Sequence, residues 1–144
     1  MQLYVFRSCN VGVEWYIQSF IEGKEQFIPT ADLMAIIKQY KFCRHQFGVD
    51  VEFNDGATTL IFDCLPKGVS SMLIARPVQS RELYEFLYSI MCCGNTIFFT
   101  TDCKFPIVCD QSVVNHLPEG MLRALGQHVV VNNVESFWRL RSLM

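Results

Sequence analysis

From Gly48 the chain alternates apolar and polar residues. Val49, Val51 and Phe53 are set against Asp50 and Glu52, a period of two that predicts a strand with one dry and one wet face. Asn54-Asp55-Gly56 supplies a tight turn, because Asp-Gly tolerates the positive φ that short hairpins demand. Residues 58–64 return as the partner strand, so a β-hairpin is expected near the middle of the chain. Pro66-Lys67-Gly68 turns the chain again, and residues 71–76 form another short strand stopped by Pro77.

Elsewhere the apolar spacing is helical. Leu33, Ile36, Ile37 and Tyr40 recur on one face after Pro29-Thr30, with Thr30 expected as the N-cap and Asp32 in the first turn. Ser80 caps a second helix over 80–91, whose stripe is Leu83, Phe86, Leu87 and Ile90 and whose stop is Gly94. Val13, Tyr16, Ile17, Phe20 and Ile21 share a helical spacing that predicts a helix over 11–22, with Gly23 as its stop. Strands are expected at 2–7, 96–101, 107–109 and 128–131. A short helical segment before Pro118, a helix over 119–125 closed by Gly126, and a last helix capped by Asn133 complete the reading. The fold class is α+β: a mixed, largely antiparallel sheet with a central hairpin, packed by four to five helices.

A chain of 144 residues suits one domain, 1–144, and no linker or repeat divides it. Only 18% of its residues are charged against 51% hydrophobic, so some apolar surface should remain exposed for a contact. The net charge is −2 and no two of the twelve Lys and Arg are adjacent, which argues against direct nucleic-acid binding. The N-terminus lacks the marks of a signal peptide and no apolar run is long enough to span a bilayer, so a cytoplasmic location and no membrane partner are expected. Seven cysteines, Cys9, Cys43, Cys64, Cys92, Cys93, Cys103 and Cys109, form an odd set with an adjacent pair, which reads as reduced thiols.

Candidate chemistry is sparse. Cys92, Cys93, Cys103, Cys109 and His116 lack the close ligand pairs of a structural zinc site, so no metal is expected. Cofactors are likewise not expected, because the eight glycines stand singly and form no phosphate cradle. No nucleophile elbow or Cys-x-x-Cys pair is present, His45 and His116 read as solvated residues near helix ends, and no catalytic residue is nominated. The feature that stands out is acidic. Between Arg44 and Lys67 there is no Lys or Arg, while Asp50, Glu52, Asp55 and Asp63 all occur. Four carboxylates on one small surface without a compensating cation would attract a basic partner. Trp15, Tyr84, Tyr88 and one of Phe137 and Trp138 fall beside the buried stripes, where exposed aromatics serve as interface anchors.

Size, mild acidity and the ending His128-Val-Val-Val-Asn-Asn-Val-Glu-Ser-Phe-Trp give the chain a general resemblance to bacterial toxin-immunity proteins of the contact-dependent growth-inhibition type. The resemblance implies a role, occlusion of the basic active site of a cognate toxin, such as a nuclease, by acidic side chains. It assigns no residue. Two other classes remain: a small enzyme with an unrecognised site, a cysteine-based one among the options, and a regulatory or oligomerisation domain.

Overall fold

The computed structural model describes residues 14–63, 66–102 and 104–144. The strand expected at 2–7 and Cys9, Cys64 and Cys103 lie outside them. The segment expected to be the first helix is instead strand β1 (Trp15–Ile21). Its apolar residues do not alternate because β1 is sheet interior on both faces. Trp15 and Ile17 enter one core while Tyr16 and Phe20 enter another. A doubly buried strand reads as a continuous apolar run that periodicity cannot tell from a helix. Gly23 is no helix stop. Glu22 and Gly23, at φ 49 and 80, make a two-residue turn into β2 (Lys24–Glu25), with Ile21 opposite Lys24.

The remaining order is α1 (Thr30–Ile37), β3 (Lys41–His45), β4 (Gly48–Phe53), β5 (Gly56–Ile61), β6 (Ser71–Ala75), α2 (Arg81–Met91), β7 (Thr96–Thr100), β8 (Ile107–Val108), a 3-10 turn (Gln111–His116), α3 (Met121–Leu125), β9 (Val129–Val130), α4 (Val134–Arg139) and a terminal 3-10 turn (Leu140–Leu143). The sheet runs β3-β4-β5-β6-β1-β7-β8-β9, with β2 paired to β1. Every pairing is antiparallel except β8 with β9. The expected α+β class, with its largely antiparallel sheet and central hairpin β4–β5, is what the structure has. Among the described residues no helix is long and apolar enough to cross a membrane.

Ends of elements differ from expectation where backbone geometry intervenes. Pro29, not Thr30, holds the N-cap of α1, and no side chain caps that end. The helix expected over 119–125 begins only at Met121, because Gly120 at φ 81 is left-handed and cannot join it. Ser80 and Asn133 cap as expected: Ser80 accepts from the Glu82 amide, and Asn133 forms a capping box with Ser136.

The helices cover the sheet unevenly. Leu33 and Ile37 of α1, Leu83, Phe86, Leu87 and Ile90 of α2, and Phe137 of α4 pack over the face carrying Val49, Val51, Leu60, Ile74, Trp15 and Phe98. Glu135 on α4 ties that layer to α2 through Arg81 at 2.6 Å. On the opposite face, Val113, Leu117 and Met121 cover Tyr16, Phe20, Leu73, Ile97, Phe99 and Val108, with half-buried Ile61 of β5 packed at the margin. The β3-β4-β5 half of that second face has no described helix over it. Lys41, Cys43, His45, Glu52 and Ala57 are exposed there, and Asp50 and Thr59 half-buried.

Candidate functional site

Strand register brings the open-face residues into rows. Cys43, Asp50 and Thr59 lie opposite one another across β3, β4 and β5, and Lys41, Glu52 and Ala57 form the next row. Directly opposed residues on adjacent strands share a face. The central row is hydrogen-bonded. The Thr59 hydroxyl donates to Asp50 Oδ1 at 2.7 Å, and His45 Nε2 lies 3.3 Å from the same oxygen. His45 Nδ1 accepts from the Phe47 amide at 3.3 Å. An acceptor role for Nδ1 places the proton of the neutral ring on Nε2, facing the carboxylate.

Cys43, His45 and Asp50 are therefore on one open face, an arrangement that invites comparison with a Cys–His–acid nucleophile. The hydrogen bonds argue against it. A general base must turn one free ring nitrogen to the nucleophile while the acid holds the other. Here the backbone takes Nδ1 and Asp50 takes Nε2, so neither nitrogen faces Cys43. The Cys43 thiol points instead at the Arg44 carbonyl, 3.7 Å away. His45 is a strand residue, not a solvated helix-end histidine; it holds the β3–β4 turn in place.

The four acids expected together are placed unequally. Asp50 and Glu52 share the open face. Asp55 is exposed in the β4–β5 turn, at one end of the hairpin, and Asp63 is exposed just beyond β5, at the other. Their surroundings are not free of cations, since Lys41 faces Glu52 across the β3–β4 ladder, and Asp50 is engaged by the His45 ring. That neighbour strand is what the sequence reading missed. The residues Lys41-Phe42-Cys43-Arg44-His45 carry a period-two signal, but mostly polar edge residues make no apolar stripe to reveal it.

Asp63 also lines a cleft of about 360 Å³ between α1 and the β3–β4 turn. Met34, Val49 and Phe62 form its apolar floor, with Arg44 and Gln46 beside Asp63 at the rim. A guanidinium and a carboxylate flanking an apolar floor can seat a side chain together with the polar backbone that carries it.

No protein-family model, curated protein or solved structure matches the chain. Its function must be read from these residues.

Two of the expected aromatic anchors are corrected by the structure, while Tyr88 and Trp138 are half-buried, as their positions beside the stripes predict. Trp15 is 4% exposed and Tyr84 0%. Both are core because the segment carrying Trp15 is a central strand and because α4 lies across α2, stacking Phe137 and Trp138 edge-on against the Tyr84 ring. The four cysteines among the described residues, Cys43, Cys92, Cys93 and Cys109, are free thiols. Burial pushes Cys109 up to about 11, and burial also raises Cys93. Both are mainly protonated at neutral pH, which disfavours nucleophilic chemistry at these two positions. Among the described residues no three His, Cys, Asp or Glu side chains converge as a metal site would need.

Proposed function

We propose that the chain is a non-catalytic protein-binding module of the immunity type, which occludes a basic toxin domain with the uncovered half of its sheet. The observation that carries this reading is the open β3-β4-β5 face. An uncovered three-stranded surface presents Asp50 and Glu52, and Asp55 and Asp63 extend the negative charge to its two ends. Carboxylates on such a platform complement an active site that must be cationic to hold phosphates. The occupied ring nitrogens of His45 favour recognition over cysteine catalysis at the same face.

The partner to test is the protein encoded immediately upstream of this chain's gene, purified as its toxin domain. Glu52→Lys and Asp55→Lys alter exposed side chains and should leave the fold intact. Asp50 is excluded from the reversal because it accepts from Thr59 and His45. Titration calorimetry should show a complex that the double reversal weakens at least tenfold at low salt, with the toxin's activity restored in proportion. No complex, or equal affinity of wild type and variant at low salt, would overturn the proposal.

A further inference from the structure

Strand β3 is the outermost strand on its side of the sheet, and no described residue pairs with its outer edge. The register determines which backbone groups face outward. His45 opposite Gly48 closes the two-residue turn Gln46-Phe47, and a closing pair of that kind is hydrogen-bonded. Hydrogen-bonded and open pairs then alternate along an antiparallel ladder, so Lys41, Cys43 and His45 bond to β4. Phe42 and Arg44 turn their N–H and C=O groups outward. Strand β4 follows the same alternation. Its other residues, Val49, Val51 and Phe53, face β5, and the Phe62 amide extends that row by donating to the Phe47 carbonyl at 3.2 Å. Apart from the Cys43 thiol near the Arg44 carbonyl, the outward groups of Phe42 and Arg44 have no described partner.

We propose that a second copy of this chain occupies this edge, with β3 antiparallel to β3 about a two-fold axis through Cys43. That register is set by the strand itself. Outward groups two residues apart, at 42 and 44, are all paired only if Phe42 of one copy faces Arg44 of the other. The same pairing puts each exposed guanidinium beside a half-buried aromatic ring, a favourable cation–π contact made twice. Lys41 faces His45 of the second copy, whose ring nitrogens are already engaged by Asp50 and the Phe47 amide. Phe47, 64% exposed at the tip of the turn, is carried alongside the end of the neighbouring strand. Strand β3 has no proline to block such an addition. The dimer goes beyond the toxin-binding reading and does not depend on it. It would join the two open faces into one six-stranded surface carrying both copies of Asp50 and Glu52.

At the axis, Cys43 meets Cys43 in an open pair, the type with Cα atoms about 4.5 Å apart and within disulfide reach. Diamide should convert the two thiols to a disulfide by accepting their two electrons and two protons. The experiment uses the full chain under reducing conditions from micromolar to submillimolar concentration. Sedimentation should show the mass rising from 16.6 kDa to about twice that value. Amide exchange at Phe42 and Arg44 should slow at least tenfold over the same range. Diamide should cross-link Cys43 to Cys43 in preference to Cys92, which is also exposed, at the C-terminal end of α2. Arg44→Pro removes an N–H that β4 does not use, so the variant should fold and remain monomeric. If that variant fails to fold, amide exchange in the wild type decides alone. A monomer at every concentration, a dimer with fast exchange at Phe42 and Arg44, or cross-linking through Cys92 as readily as Cys43 would overturn the proposal. Protection of these amides only on adding poly-glutamate would assign the edge to an acidic partner segment and overturn it equally.

Discussion

Tyr84 is fully buried, and its hydroxyl has no hydrogen-bond partner among the described residues. A buried phenol without a partner carries a desolvation cost, so Tyr84→Phe should be neutral or stabilising by up to about 1 kcal/mol, measured by urea unfolding. Alkali provides a second check. Burial pushes Tyr84 from its ordinary 10.0 up to about 12. As pH rises, the unfolded chain releases this proton first. The stability associated with the neutral phenol is therefore intact below pH 10 and is lost as pH rises towards 12. The urea midpoint should fall through that window, and less steeply in Tyr84→Phe. Gly48 is a residue-scale constraint of another kind. A Cβ there would collide with the Leu60 carbonyl on β5, so Gly48→Ala should destabilise by about 1–3 kcal/mol, read by the same unfolding curves. An unchanged midpoint would mean that the hairpin can open to admit a methyl group.

Among the elements, α1 and α2 were legible because each has one buried stripe between clear ends. Leu33, Ile37, Phe86 and Leu87 are at most 1% exposed, on the faces their spacing predicts. Truncating any of them to Ala should cost about 2–5 kcal/mol by chemical denaturation. A neutral outcome at two of the four would contradict the packing of this layer. The hairpin β4–β5 was legible for a similar reason, since one face is dry and the other wet. Strands β1 and β3 were not. In β1 both faces are dry, so the period-two signal vanishes and a helical spacing arises by coincidence. In β3 both faces are largely wet, and the alternation has no apolar member strong enough to show it. The candidate site inherits both effects. Asp50 and Glu52 could be placed on one face from sequence, but Cys43 and His45 could not be set beside them until β3 was recognised. The burial of Trp15 likewise depends on β1 lying between β6 and β7.

At the scale of the molecule, β1 lies early in the chain and in the middle of the sheet. One edge pairs with β6, where Gln18 bonds to Ser71 across 53 positions, and the Glu14 amide beside its other edge reaches Thr101 across 87. During synthesis the first half of the chain therefore emerges with two apolar strand faces and two open edges that only later residues can cover. Such long-range pairing slows folding and leaves a sticky intermediate in the meantime. Nascent chains arrested after residue 95 lack β7 and should stay protease-sensitive and bind chaperones, whereas chains extruded past β9 and α4 should become resistant together. Protection of the arrested chain equal to that of the full one would mean that β1 is secured before its second neighbour exists. If β1 does wait for β7, the yield of this protein in a cell depends on how well its unfinished form is sheltered as much as on the stability of the finished one.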